Sequence, residues 1–292
     1  MKISSLLTSP STTLSFEFFP PKNVTGSSTL FKTIKELIPY KPSFVSVTYG
    51  AGGATRHLTH DLVESIHKKT DLNIMAHLTC IGSTKDEIFA ILKRYQDIGI
   101  CNIMALRGDL PKDSSINPFP YGGFRYAGEL VQFIKKHFPD FCVGVAGFPE
   151  GHPETPNRLK EIDYLKQKID QGADFICTQL FFNNNDFYDF KERAALNGIN
   201  CPIVAGIMPI ITRSGYIRMA DLAGGARYPA KLLKKLIDAD DADIHKIGEE
   251  WSVTQVTDLI KQKVSGIHLY TLNKSTSSIR VIQQTSLSET LS

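Results

Sequence analysis

With 292 residues, 42% hydrophobic and 22% charged, the chain has the composition of an ordinary globular protein of one large or two small domains. A formal charge of +3, dispersed along the chain, excludes a basic nucleic-acid surface, and no apolar run approaches the roughly 20 residues that span a bilayer. The five cysteines are odd in number, widely spaced and without a Cys-x-x-Cys pair, which excludes a zinc or redox pair and fits a reducing compartment.

Met1 to Pro10 carries only Leu6-Leu7 as an apolar pair, too weak for a signal peptide, so a cytoplasmic location is expected. The first strand is expected over Leu14 to Phe19. Glu17 shares a face there with Ser15 and Phe19, while Phe16 and Phe18 point the other way. Both faces are largely apolar, as in a parallel sheet covered on both sides. A carboxylate in such a strand must be paired, protonated or in use, because burying a bare charge costs several kcal/mol.

Further strand-like runs follow at Phe44 to Tyr49, Ile74 to Cys80, Asn102 to Arg107, Cys142 to Phe148, Phe175 to Phe182, Ile203 to Met208 and Ile267 to Leu272. Helical spacing separates them: Leu58, Leu62, Ile66, then Ile88, Ile91, Leu92, Tyr95, then Leu159, Ile162, Leu165, Ile169. Gly99, Gly172 and Gly198 sit where such helices end, as left-handed caps. The basic clusters Lys135-Lys136-His137 and Lys231 to Lys235 fall at helix ends, where they complement the helix dipole. Ser275 starts a last helix. Eight strand–helix units predict one (β/α)8 barrel over residues 1–292, of the TIM type. A doubly wound sheet is the runner-up, but no Gly-x-Gly-x-x-Gly follows the first strand.

Barrel chemistry sits at the carboxyl ends of the strands. Those ends carry Glu17, Thr48-Tyr49-Gly50, His77-Leu78-Thr79, Arg107-Gly108-Asp109, Phe148 to Glu154, Gln179 and Tyr270 to Asn273. The irregular stretch Asp109 to Gly123 would lie over the mouth as a lid. A metal-dependent hydrolase could draw ligands from His77, His152, Asp109 and Glu17. Strand one, however, lacks a His-x-His pair, and neither His has a second ligand at close spacing, so no metal is expected. A Schiff-base lyase lacks a strand lysine. A non-enzymatic scaffold predicts an ordinary rim, without a strand carboxylate and an Arg-Gly-Asp strand end together.

At these residues the chain resembles the methylenetetrahydrofolate reductase family. The matching stretches are Phe16 to Lys22, Phe44 to Ala51, His77 to Cys80, Ala105 to Pro111, Pro149 to Glu154, Lys168 to Ala173, Thr178-Gln179 and Tyr270 to Asn273, in family order over nearly the whole chain. The length resembles the bacterial-type catalytic barrel, without the regulatory domain that binds S-adenosylmethionine. The resemblance implies an FAD enzyme with ping-pong chemistry. NADH or NADPH gives hydride to flavin N5 and leaves. Methylenetetrahydrofolate then takes it on the same face, giving 5-methyltetrahydrofolate, a methyl source for methionine synthesis. A homo-oligomer is also implied.

The family's acid falls on Glu17, which would protonate a folate nitrogen as the five-membered ring opens to an iminium. Desolvation would raise its pKa and keep that proton available. Asp109 matches the aspartate near flavin N1 and the pterin, where a negative charge makes the reduced flavin a stronger donor. Gln179 matches the glutamine that meets both folate and nicotinamide, and Thr48 a residue beside the nicotinamide. Tyr49, His77, Arg107, Gly108, Tyr126, Ala127 and His152 match positions along the FAD, with Glu161 and Lys168 at ribose and phosphate. Phe148, Tyr164 and Gln167 depart from the pattern, standing where Tyr, Asn and a basic residue are expected. Gly215 and Lys274 fall at folate-side positions that can carry Gln and Arg.

Overall fold

The computed structural model describes residues 1–21, 23–49, 56–110, 117–155, 157–222 and 226–288. Lys22, Gly50, Ala51 and Pro111 of the sequence motifs lie outside the described residues, as does much of the stretch from Asp109 to Gly123.

Eight parallel strands close into a barrel in the order β1 to β8. They are β1 (Thr13–Phe18), β2 (Phe44–Val47), β3 (Ile74–Thr79), β4 (Asn102–Leu106), β5 (Cys142–Gly147), β6 (Phe175–Thr178), β7 (Ile203–Ile207) and β8 (Gly266–Tyr270). The (β/α)8 expectation holds. The strands stop one to four residues short of the apolar runs in the sequence, so Phe19, Tyr49 and Gln179 lie beyond strand ends. Tyr49 still packs in the core beyond its strand end, whereas Phe19 is 40% exposed.

The helices are α1 (Ile3–Leu6), α2 (Val24–Leu37), α3 (Arg56–Lys69), α4 (Lys85–Asp97), α5 (Ala127–His137), α6 (Arg158–Asp170) and α7 (Asn184–Leu196). They continue with α8 (Arg213–Leu222), α9 (Ala230–Ile237), α10 (Asp241–Lys261) and α11 (Thr276–Gln283). Local signals set their ends. Thr84 and Glu87 form a capping box on α4, and Asn23, Asn157 and Asp240 cap α2, α6 and α10. Gly99, Gly172 and Gly198 take φ of 84°, 109° and 73° after their helices, as the spacing predicts. Lys135, Lys136 and His137 occupy the last turn of α5, and Lys234 and Lys235 the last turn of α9, with Lys231 in its first turn. Three helices, not one, cross from β7 to β8.

Alternation along each strand divides the core. Outward residues such as Phe16, Phe18, Val45, Val47, Leu78 and Ile103 pack beneath the helices. Inward residues Phe44, Met75, Met104, Cys142, Phe175, Cys177 and Val204 fill the barrel together with Ile3 and Leu7. Phe175 takes the space that Gly144 leaves: a Cβ there would lie 2.5 Å from its ring. The amino-terminal segment closes the base, where Asn102 accepts the Ile3 N–H (2.9 Å) and donates to the Met1 carbonyl (3.0 Å). A third cluster, including Met208, Met219, Leu232, Leu236 and Ile244, lies under the β7–β8 excursion.

Candidate active site at the carboxyl ends of the strands

Register places Glu17 of β1 between Ser46 of β2 and Tyr270 of β8. Ser15, Glu17, Ser46, His77, His268 and Tyr270 all take inward positions, and together they form a polar layer above the apolar plug. The Glu17 carboxylate lies 3.6 Å from His77 Nε2 and 3.7 Å from His268 Nε2, and it accepts the Ser46 hydroxyl at 3.5 Å. His268 is held at both nitrogens: Nδ1 lies 2.8 Å from Ser15 Oγ and Nε2 lies 3.1 Å from Ser46 Oγ. Its ring stacks on Phe44 below, with centroids 5.7 Å apart.

Glu17 is not sealed in apolar surroundings, as the sequence suggested. Its side chain keeps 20% exposure toward the mouth. The correction follows from strand length: Glu17 lies one residue from the end of β1, and Phe19, its same-face neighbour, is 40% exposed. The compensation for partial burial is the ring of imidazoles and hydroxyls. Burial holds the His77 imidazole below its ordinary pKa, partly opposed by Glu17, so His77 is neutral at pH 7. Its Nε2 is buried without a hydrogen-bond partner among the described residues.

The exit turn of β8 fixes the first strand. Thr271 Oγ1 donates to the Glu17 carbonyl (2.6 Å), while the Asn273 side chain accepts from Phe19 N–H (3.0 Å) and donates to the Phe19 carbonyl (2.8 Å). Leu272 and Asn273 take left-handed φ of 51° and 57° to make this grip.

The other candidates spread around the same rim. Arg107 forms a two-pronged pair with Glu154 (2.7 and 3.1 Å), which holds its guanidinium pKa above the ordinary value. Gly108 at φ 88° runs so close to Thr79 and Ile81 that a Cβ would meet each at 2.9 Å. Asp109 is exposed beside it. Tyr126 and Ala127 open α5, with Tyr126 65% exposed. His152 N–H donates to the buried Glu161 carboxylate, and the edge of Phe148 meets the His152 ring at 4.7 Å.

Lys168 donates to the Ala146 carbonyl (2.7 Å); burial pushes its ammonium down to about 8, with Glu161 opposing. Tyr164, one turn before it on α6, is exposed. Gln179, just past β6, folds back so that its carbonyl oxygen accepts the Leu180 N–H at 2.9 Å. Gly215 lies in the first turn of α8 and Lys274 is exposed after the β8 turn.

Two further expectations change. The Tyr49 side chain leaves the mouth for the helix layer, edge-on to His60 at 6.0 Å, so only its backbone remains near the rim. The far end of the predicted lid is stitched down, with Gly82 N–H on the Pro118 carbonyl (2.8 Å) and Lys85 N–H on the Gly122 carbonyl (3.1 Å). No group of three or more His, Cys, Asp or Glu side chains among the described residues is placed to hold a metal ion, so the hydrolase ligand set is not assembled. Sequence reading also missed His268, Ser15 and Ser46. Their signal was present in the alternation Gly266, His268, Tyr270 along β8, which puts an imidazole inside the barrel.

The residues present suit a dinucleotide with a diphosphate. They offer a helix start at α5 and a cationic Lys168 head group, while the buried Nε2 of His77 lacks a hydrogen-bond partner among the described residues.

Fold and site define a (β/α)8-barrel protein with a carboxylate–imidazole cluster at its catalytic rim. The sequence model of methylenetetrahydrofolate reductase matches residues 2–286. The chain belongs to that family. It is 39% identical over 281 residues to methylenetetrahydrofolate reductase 1 of Schizosaccharomyces pombe, covering 94% of this chain and 46% of that protein. Thus it spans about half the length of that relative. With the 5,10-methylenetetrahydrofolate reductase of Escherichia coli it shares 37% identity over 265 residues, covering 90% of this chain and 86% of the other. An uncharacterized Clostridium thermocellum protein that binds two copies of 5-methyl-5,6,7,8-tetrahydrofolic acid shares the fold at TM-score 0.73 and 15% identity, covering 97% and 96% of the two chains.

Proposed function

We propose that this chain catalyses the FAD-dependent reduction of 5,10-methylenetetrahydrofolate to 5-methyltetrahydrofolate with NADH or NADPH as donor. The observation that carries the reading is the placement of Glu17 in the polar layer of the mouth, within a chain of this family. FAD bound along the rim supplies the two-electron relay between nicotinamide and folate. Lys168, His152 with Glu161, Arg107, Gly108 and the α5 start are the groups for its diphosphate, ribose and ring edges. Asp109, Gln179, Thr48 and the Gly215 and Lys274 positions are the groups for the pterin, the nicotinamide and the folate tail.

The folate ring cannot open without a proton on its departing nitrogen, and we assign the delivery of that proton to Glu17 at the mouth. After the transfer, the Ser46 hydroxyl stabilises the carboxylate directly. Ser15 has one hydroxyl proton and two acceptors in reach, the Ile267 carbonyl (3.2 Å) and His268 Nδ1 (2.8 Å). Turning that proton toward His268 leaves Nε2–H facing Ser46 and Glu17, where it steadies the carboxylate, and the acid regains its proton from solvent at the mouth, toward which it keeps 20% exposure. Neutral His77 lines the other side without adding charge.

The test is anaerobic and uses the purified protein supplied with FAD. Flavin absorbance should bleach with NADH or NADPH and return on adding methylenetetrahydrofolate. Failure to bind flavin, or a bleached flavin that folate does not restore, rejects this function.

A further inference from the structure

Glu150 lies outside the Glu17 cluster, yet its carboxylate joins the two sides of the mouth. Its Oε2 accepts the Arg227 backbone N–H at 2.7 Å across 77 residues of chain, and its Oε1 is buried without a hydrogen-bond partner among the described residues. On one side, two residues along, His152 is fastened to Glu161. On the other, Tyr228 follows Arg227; its ring stacks on Phe182 (4.6 Å, 23°) and its hydroxyl donates to the Tyr216 carbonyl at 2.5 Å. Tyr216 adjoins Gly215 in the first turn of α8. One hydrogen bond therefore links the β5 loop, which bears cofactor-side candidates, to the helix that bears a folate-side candidate.

We infer that Glu150 is a positioning residue for the folate half-reaction: it latches the segment ahead of α9 to the β5 loop and so holds α8 at the spacing that admits the pterin. The inference rests on the function proposed above. A bound substrate gains only if the groups that meet it are already ordered, and the latch supplies that order before binding.

An ionised carboxylate is the stronger acceptor, but burial opposes its charge here. The charged and titratable groups around it are Arg227, Arg158 of α6, Asp186 of α7 and Tyr228. Burial, aided by Asp186, pushes the carboxyl up to about 7, while the Arg227 N–H and the charges of Arg227 and Arg158 oppose the rise.

The test compares Glu150→Ala and Glu150→Gln holoenzymes with the parent. At pH 8 the Ala variant should raise KM for methylenetetrahydrofolate about tenfold, the loss of one charge-assisted bond. Flavin reduction by nicotinamide should stay within about twofold, a change too small to signal a lost hydrogen bond. Amide hydrogen exchange of the peptide containing Arg227 should quicken in the same variant. The Gln variant keeps an acceptor of the same shape, so it should hold the parental KM at pH 8. Parental exchange and folate KM in the Ala variant would overturn the inference. So would a Gln variant as impaired as the Ala variant, or equal damage to both half-reactions. A parent that never reoxidises with folate rejects the proposed function instead, and hydrogen exchange still decides the latch.

Discussion

Replacing Glu17 with Gln keeps the side-chain volume and the Ser46 contact but removes the ionisable proton. Stopped-flow reduction of the flavin by NADH or NADPH should proceed near the parental rate. Reoxidation by methylenetetrahydrofolate should slow by about 10²–10⁴-fold, the loss typical of a general acid. Equal loss in both halves would make Glu17 a packing residue. Lys168 offers a second residue-scale test. Burial lowers its pKa to about 8, so its charge is present below that value and fades above it. FAD affinity, read from flavin fluorescence between pH 6.5 and 9, should therefore fall as pH rises through the region near 8. Lys168→Met should bind FAD more weakly and without that slope. A parental affinity that is flat with pH would place the diphosphate elsewhere.

The residue scale is also where sequence reading succeeded and failed most visibly. Glu17 was legible because a carboxylate inside an apolar strand has few explanations. His268 was not, although it touches the same cluster, because Ile267 and Leu269 beside it made the run look apolar. The alternation Gly266, His268, Tyr270 carried the signal, and pairing with Ser15 and Glu17 of β1 settles which face it takes. Tyr49 failed for the opposite reason. Strand alternation continues past the last ladder bond and turns its ring outward, which a motif cannot show.

Among elements, the β8 exit turn is the most exposed to test. Asn273→Ala removes the paired bonds to Phe19 and should cost about 1–3 kcal/mol. For a chain of this size that is a loss of several degrees in Tm by scanning calorimetry. Leu272→Gly relaxes the left-handed backbone at φ 51° and should be close to neutral. If Asn273→Ala melts with the parent, the grip on the first strand has no energetic content. Gly144→Ala should be worse than either, because its Cβ would meet the Phe175 ring at 2.5 Å and that ring fills the barrel centre. Strands and the first helices were legible from period-2 and period-3.6 patterns. The triple helical crossing between β7 and β8 was not, since barrel logic alone calls for one helix there.

At the scale of the whole molecule, the charge is small and dispersed, and no helix among the described residues is long and apolar enough to cross a membrane. The parallel closed sheet was legible because strand and helix signals alternate eight times. Its base plug was not, because α1 is only four residues long and is ordered by Asn102 and the barrel interior rather than by its own propensity.

The grip of Thr271 on Glu17 also sets an order of assembly. The two residues are 254 positions apart, so the reactive carboxyl is made among the first residues synthesised but acquires its holder, and its His268 neighbour, almost last. Such distant pairings carry the largest loop-closure entropy and form late. The single tryptophan, Trp251, reports a nearer event, since its indole donates to the Phe182 carbonyl 69 positions away. In refolding from denaturant, Trp251 fluorescence should recover before folate-dependent reoxidation does. Under the proposed function, a partly folded chain would carry the α5 and α6 surfaces while Glu17 still lacks its holder, so folate-dependent reoxidation would report that the barrel has closed.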